Sequence, residues 1–460
     1  MLRISLLLLF LCTTVSTARA QPQSAAATLP PRVLSGDIAK YAAVLRKHMH
    51  KNYRDAYGEP GNNFKHPFFL PGSSQYEAQL WDWDSWIYDI AVRQIVADVG
   101  TAKDKQDAID HGRGSVLNFL GFGGADGWLP ITIFKKPKTR DQMMPKNPFA
   151  ENMHKPVLAQ HAAFLVKMDG DVQWLRESFY FVQSFLNNYR NHHRHKATGL
   201  YYWQTDLAVG IDTDPAVFFR PPGSSGNIYL NSLMYRELLA AAFLADKLNQ
   251  SEIGVLLRRD AENLRKAIQE HMWDERDGFF YSVDLNLMPV NKPQVSWELH
   301  GGGPRDYDCL IQRLGVWTGF MPLWAEIATP EQAKRIVAEH LRNEKTFAAP
   351  YGIRSLSKME KMYNVRASGN PSSWMGPVWS LSNYIVFRGL VKYGFTKEAQ
   401  ELAEKTITLI GRDVERSGAA HEYYLPESGE PVLNKGFMDW NYLAINMLAW
   451  LEGKPVVTEF

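Results

Sequence analysis

The chain has 460 residues, and its 51 Lys and Arg against 49 Asp and Glu leave a net charge of +2. So even a balance excludes the concentrated positive face that a phosphate backbone requires, and nucleic acid is not an expected partner. The length allows two or three domains of about 150 residues each, or one large closed repeat of helices, for which that prior is soft.

Residues 1–20 combine Arg3, an apolar run over 4–12 and Ala18-Arg19-Ala20, the small-x-small form that signal peptidase cuts. This reads as a signal peptide, which places the mature protein in the periplasm or outside the cell. The apolar run is too short to stay in a bilayer, and no later stretch approaches the roughly 18 apolar residues that a span requires. Cys12 lacks the small residues of a lipoprotein site, and cleavage leaves Cys309 alone. With no internal disulfide, the fold must hold through its core.

Residues 21–33 are rich in Pro, Ala and Ser and read as a disordered leader, so the catalytic domain is expected over 34–460. Helical patterns then recur over 38–51, 85–99, 104–119, 155–167, 171–193, 227–248, 251–271, 330–341, 378–393, 397–417 and 440–451. Within them apolar residues fall at helical spacing, as Leu230, Leu233, Leu238 and Ala241 do. Aromatic segments over 199–204 and 278–283 read as short β-hairpins or extended loops, and each follows a helix, a turn residue and a glycine. A helix pair plus a loop, repeated, fits an all-α (α/α)6 toroid whose loops form a funnel at one end. Periodicity does not fix closure, so an open helical solenoid is the alternative.

The aromatic content, 14 Trp, 20 Tyr and 23 Phe, is unusual for its setting, with many Trp beside Asp, Asn and Gly. Sugars present apolar C–H faces and hydroxyl edges, which such mixtures suit. Four clusters carry this character. In Gln79-Leu80-Trp81-Asp82-Trp83-Asp84-Ser85-Trp86, Asp84 or Ser85 can cap the following helix, but capping leaves the other Trp and Asp unexplained. Sugar contact accounts for them, as does a buried hydrogen-bonded cluster. In Trp203-Gln204-Thr205-Asp206, continuing to Gly210-Ile211-Asp212-Thr213-Asp214-Pro215, the three Asp read from composition as turn residues bonding their own backbone. In Trp374-Met375-Gly376-Pro377-Val378-Trp379, Pro377 suits a first helical turn, and the two Trp fit helix packing as well as a site. Last, Glu422 stands among His421, Tyr423 and Tyr424, ahead of Phe437, Asp439 and Trp440, where neighbours can raise a carboxyl pKa or place a water. Glu427 and Glu430 read as solvated turn residues.

Other features carry less. His192, His193 and His195 lie at a polar helix end without Cys or HExxH spacing, so a surface position is expected and no metal. The basic residues of 135–140 read as a solvated loop. Gly121-Phe122-Gly123-Gly124 does not open a helix, which excludes the usual phosphate cradle. No metal or organic cofactor is expected.

In chain order these blocks resemble glycoside hydrolase family 63 and its mannosylglycerate hydrolase-like group, and more distantly the trehalases of family 37. Leu-Trp-Asp-Trp-Asp stands at Leu80 to Asp84, and Pro-Pro-Val-Leu-Ala becomes Lys155-Pro156-Val157-Leu158-Ala159. The Gly-x-Asp block is Gly210-Ile211-Asp212, Trp-Arg-Gly-Pro-Val-Trp is Trp374 to Trp379 with Asn383-Tyr384, and Glu-x-Tyr-x-Pro-x-Thr-Gly begins at Glu422. The resemblance implies an (α/α)6 barrel that hydrolyses an α-linked glucoside or mannoside from the chain end with inversion, taking a di- or oligosaccharide or a glycoside. It implies Asp212 as general acid and Glu422 as general base, 210 positions apart (422 − 212). Such a pair stands about 6.5–9.5 Å apart, with room for a water. Around it, Trp81, Asp82, Trp83, Asp84, Trp203, Gln204, Asp214, Trp374, Gly376, Trp379, Asn383, Tyr423 and Trp440 are the expected sugar contacts.

Three departures stand out. The family's Asn-Ser after the acid is Thr213-Asp214, its preceding Glu-Ser is Ala208-Val209, and the Arg of Trp-Arg-Gly-Pro is Met375. They bear on the substrate more than on the reaction, and Asp214 competes with Asp212 for the role of acid. A polysaccharide lyase on a similar toroid, or a carbohydrate-binding homologue without catalysis, are the rival readings.

Overall fold

The computed structural model describes residues 29–287, 306–366 and 371–460. The signal-peptide reading, on 1–20, lies outside them. In chain order the helices are α1 Gly36–Asn52, α2 Asp82–Val99, α3 Ala102–Leu120, α4 Leu158–Asp169, α5 Phe179–His192, α6 Ile228–Lys247, α7 Ser251–His271, α8 Met321–Trp324, α9 Pro330–Arg335, α10 Ser380–Lys392, α11 Thr396–Ser417 and α12, formed by Asp439–Tyr442 and Ala444–Leu451. A four-residue helix, Arg140–Met143, sits in the loop between α3 and α4.

Two kinds of sequence alternate along this order. In α7 the buried residues are Gly254, Leu257, Ala261, Leu264, Ala267 and Ile268, one stripe at intervals of three and four with charge on the remaining surface. In α2 every residue from Asp82 to Val96 is buried, and α10 is buried from Ser380 to Val391. A helix without a solvent face belongs inside other helices. The even-numbered helices therefore form an inner ring and the odd-numbered ones an outer ring.

The inner ring closes. His161 of α4 reaches Asp89 of α2 at 2.9 Å; α4 packs on α6, α6 on α8, α8 on α10, α10 on α12, and α12 on α2. Outside it, α1 lies against α11, fastened by Lys40 to Glu415 at 2.8 Å, and Arg46 of α1 pairs with Glu452 at 2.8 Å. This is the toroid, and the open solenoid is excluded.

Local chemistry sets the boundaries. Thr101 with Asp104 and Thr329 with Gln332 make reciprocal capping boxes at the starts of α3 and α9, and Pro330 occupies a first-turn position. Gly170 at φ 75° and Gly418 at φ 83° end α4 and α11 in the left-handed conformation that only glycine adopts cheaply. The start of α4 is held from outside, where buried Glu237 of α6 accepts the N–H groups of Ala159 at 2.7 Å and Gln160 at 3.0 Å.

Differences from the sequence reading have local causes. The helical turn Trp317–Phe320 and α8 were not expected, since Gly319 and Pro322 interrupt a segment too short to show a period. The pattern over 171–193 resolves into a 3-10 turn, Gln173–Leu175, and α5. Phe279–Phe280 pairs antiparallel with Trp273–Asp274, while Tyr201 and Tyr202 make only single bridges, to Arg194 and Gly226. His193 is fully buried, 4.9 Å from the Tyr189 ring, where burial pushes its imidazole down to about 3. It is a core residue and not a surface one.

Candidate active site

The segments that enter the inner helices at their N-terminal ends converge. Asp84 lies in the first turn of α2, Lys155 precedes α4, Asp212 sits in the loop before α6, Trp379 immediately precedes α10, and Glu422 and Phe437 lead into α12. Together with Tyr76, Trp81, Trp83, Ala208, Gly210, Ser372, Trp374 and Trp440 they line one cavity of about 120 Å³. Helix N-termini present unpaired N–H groups and positive partial charge, a suitable frame for a cluster of carboxylates.

Cross-links between these segments fix the walls. The strand Gln79–Trp81 pairs with Thr132–Phe134, and Trp81 Nε1 donates to Gln79 Oε1 at 2.7 Å. Tyr423–Tyr424 pairs with Pro431–Val432, and Tyr424 also bridges to Val378, joining the Glu422 segment to the Trp374 segment. Trp374 N–H donates to Thr213 Oγ1 at 2.8 Å, which ties the Asp212 loop to the same wall. The wall is aromatic: Trp374 stacks on Trp379 at 3.8 Å and 5°, and Trp440 stands 5.9 Å from Trp83 and 5.6 Å from Trp379.

Of the three carboxyls lining the cavity, Glu422 is 3% exposed. Its acid is pushed up to about 7 by burial and by Asp84 and Asp212, against a hydrogen bond of 2.5 Å from Asn434 that opposes the rise. Asp84 is pushed up to about 6 by burial, while Asp439 and Lys155 favour its anion. Asp439 is fully buried, and its oxygens meet no N–H or hydroxyl donor among the described residues. Burial and the neighbouring Asp84 carboxyl hold its acid far above the ordinary carboxylate range. Asp212 is half-buried and faces the same cavity.

The remaining expected contacts stand behind the walls. Asp82 is the buried counter-ion of Lys155, at 2.9 Å, and also accepts the backbone N–H groups of Lys155 and Trp83. Asp214 accepts from Ala216 N–H at 2.9 Å and Asn227 Nδ2 at 2.8 Å, bonds that hold its loop. Gln204 Nε2 donates to the carbonyls of His192 and Phe149. Trp203 is buried against Tyr229, and Tyr423 stacks on Trp379 at 4.6 Å with its hydroxyl on the Pro371 carbonyl at 2.6 Å. Asn383 accepts Ile353 N–H and donates to Thr406. Gly376, at φ 135°, lies where a Cβ would meet the Tyr363 ring at 2.5 Å.

Sequence reasoning missed Tyr76, Ser372, Asn434 and the role of Lys155. Lys155 carried a signal, since it replaces the first Pro of the family block; the others had none. Its ammonium lies 5.2 Å from the centre of the Trp83 ring, paired with Asp82 and close enough to Asp84 to favour that acid's anion. Such a site pairs one carboxyl able to give a proton with another able to take one, between aromatic faces.

A family model, the mannosylglycerate hydrolase MGH1-like glycoside hydrolase domain, matches residues 79–441. A probable mannosyl-oligosaccharide glucosidase of Schizosaccharomyces pombe is 24% identical over 309 residues, 64% of this chain and 34% of that protein. Mannosylglycerate hydrolase MGH1 of Selaginella moellendorffii is 30% identical over 151 residues, 32% of this chain and 28% of its own length. The chain thus spans about a third of these curated relatives. Among solved structures, the GH63 mannosylglycerate hydrolase of Thermus thermophilus in complex with glucose superposes with a TM-score of 0.59 at 21% identity, covering 89% of this chain and 99% of that one. The closed double ring, the cavity at the inner-helix N-termini and the matched span agree: this chain belongs to the mannosylglycerate hydrolase MGH1-like glycoside hydrolase family.

Proposed function

We propose that the protein is an exported, exo-acting inverting α-glycosidase in which Asp212 is the general acid and Glu422 the general base. The observation that carries this reading is that two carboxyls 210 positions apart (422 − 212) line one small aromatic cavity, while Asp214 is engaged by its own loop. In the reaction, Asp212 gives its proton to the glycosidic oxygen as the bond to the anomeric carbon breaks. Glu422 takes a proton from a water that attacks that carbon from the opposite face, and the product sugar has the inverted configuration. A base whose pKa lies near neutrality takes a proton in the transition state better than an ordinary carboxylate. Asp84, kept anionic by Lys155 and Asp439, holds sugar hydroxyls.

A cavity of about 120 Å³ suits one terminal sugar rather than the interior of a polymer. The names of the relatives, a glucosidase and mannosylglycerate hydrolases, support glucose or mannose as that sugar. The signal-like segment over 1–20 supports export. Incubation with α-glucosides and α-mannosides, followed by proton NMR of the first product, is expected to show the β-anomer. Release of the α-anomer excludes inversion, and an unsaturated product absorbing in the ultraviolet selects a lyase.

A further inference from the structure

A second depression of about 350 Å³ adjoins the catalytic cavity, and the two share Trp81 and Ala208 as lining residues. Its lining is mainly apolar and includes the rings of Trp81, Phe134 and the buried Trp128, beside the amides of Gln142 and Asn152. The shared residues fix its orientation. Ala208 lies four positions before Asp212 (212 − 208), on the same loop, and Asn152 Nδ2 anchors that loop through the carbonyls of Thr205 at 2.9 Å and Leu207 at 2.7 Å. The Glu422 segment contributes nothing to this depression. Phe134 is 39% exposed, and Ala208 stands in the left-handed region at φ 54°, strain of the kind that persists where a surrounding site fixes it.

We propose that this groove holds the leaving group of a saccharide substrate, and that the leaving group is itself one or more neutral sugars rather than a small acid such as glycerate. The inference rests on the glycosidase reading of Asp212 and Glu422. In an inverting reaction the acid serves the leaving oxygen and the base serves the water, so the leaving group must exit on the acid's side. The groove shares Ala208 with the Asp212 loop, and none of its lining residues belongs to the Glu422 segment. Its volume is about three times that of the cavity for the terminal sugar, more than a three-carbon acid fills. Its ionic groups are one Lys138 and one Glu151, of opposite sign, without the paired cations that recognise a carboxylate. Aromatic rings beside amides match the C–H faces and hydroxyl edges of pyranose rings.

The test compares three substrates carrying the same terminal sugar, run for both glucose and mannose: the α-glycosyl fluoride, the α-glycosylglycerate and an α-linked trisaccharide. Wild type is expected to favour the trisaccharide over the glycerate in kcat/KM. In Phe134→Ala, a substitution at an exposed ring, and separately in Trp128→Ala, the ratio of trisaccharide to fluoride kcat/KM is expected to fall about tenfold, which is ~1.4 kcal/mol. An unchanged ratio in Phe134→Ala, or a preference for the glycerate, overturns the groove assignment while leaving the glycosidase intact. Failure to release fluoride at all overturns the glycosidase reading, and the groove's role falls with it.

Discussion

At Glu422 the protein sets burial and two neighbouring acids against a single stabilising amide, and the carboxyl comes to rest near neutrality. Only its ionised form can accept a proton from water. Ionisation of Glu422 is therefore expected to place one limb of a bell-shaped kcat/KM profile near pH 7, rising about tenfold per pH unit as the base ionises, with the opposite limb where Asp212 loses the proton it must donate. Asn434 favours the ionised form, so Asn434→Ala is expected to move this limb to higher pH, and a pH–rate profile reads the shift directly. An unmoved limb removes Glu422 from the base role. Leaving-group chemistry separates the two acids. Asp212→Asn and Glu422→Gln are each expected to lower kcat on an oligosaccharide by roughly 10²–10⁴. On an α-glycosyl fluoride, whose leaving group needs little protonation, Asp212→Asn should lose far less than Glu422→Gln. Equal losses on both substrates contradict the assignment. From local sequence neither residue could be chosen: Asp212 looks like a turn residue, and the His and Tyr that flank Glu422 face away from the cavity. His421 and Tyr424 both bond Asp413 of α11.

The elements that build the site were more legible than the contacts within it. Amphipathic stripes located α7 and α11, because that signal is local. Which of two adjacent acids faces a cavity depends on the direction of a side chain, and alternation within Trp-Asp-Trp-Asp does not reveal it. Asp84 looks into the cavity and Asp82 into an ion pair with Lys155, though both lie in the first turn of α2. The start of α4 depended on a partner 78 positions away, invisible to any local pattern. Glu237→Ala leaves the buried N–H groups of Ala159 and Gln160 unpaired, at about 1–3 kcal/mol for each. A lowered midpoint in urea is the expected outcome, and a midpoint within error of wild type would show that α4 needs no external cap.

Across the whole molecule, the ring is locked at a second place remote from the cavity. Glu459, 4% exposed, accepts from Arg388 of α10 at 3.0 Å, from Trp324 Nε1 of α8 at 3.0 Å and from Tyr384 at 3.2 Å. Burial pushes its carboxyl up, and the charges of Arg388, Lys392 and Arg236 overcome this and hold it well below the ordinary range. A depressed carboxyl contributes stability that is complete above its unfolded value of about 4.5 and is lost as pH falls below it. Glu459→Gln leaves these cations without their partner and is expected to cost about 3–5 kcal/mol at neutral pH. Thermal melts at pH 7 and pH 3 should show that difference shrinking in acid; a constant difference argues for packing instead of charge.

The contact of α1 with α11 has a kinetic meaning. Lys40 and Glu415 are 375 positions apart, so the join between them encloses almost the whole chain, and loop-closure entropy makes such a contact slow to form. Neighbouring helix pairs, whose contacts are local, can assemble long before it. The catalytic cavity draws its walls from segments between Tyr76 and Trp440 and has no complete form until the last inner helix is seated. On refolding from denaturant, far-ultraviolet circular dichroism should therefore recover first and hydrolysis later. Nascent protein would pass through a helical, inactive interval in which the two carboxyls have not yet met.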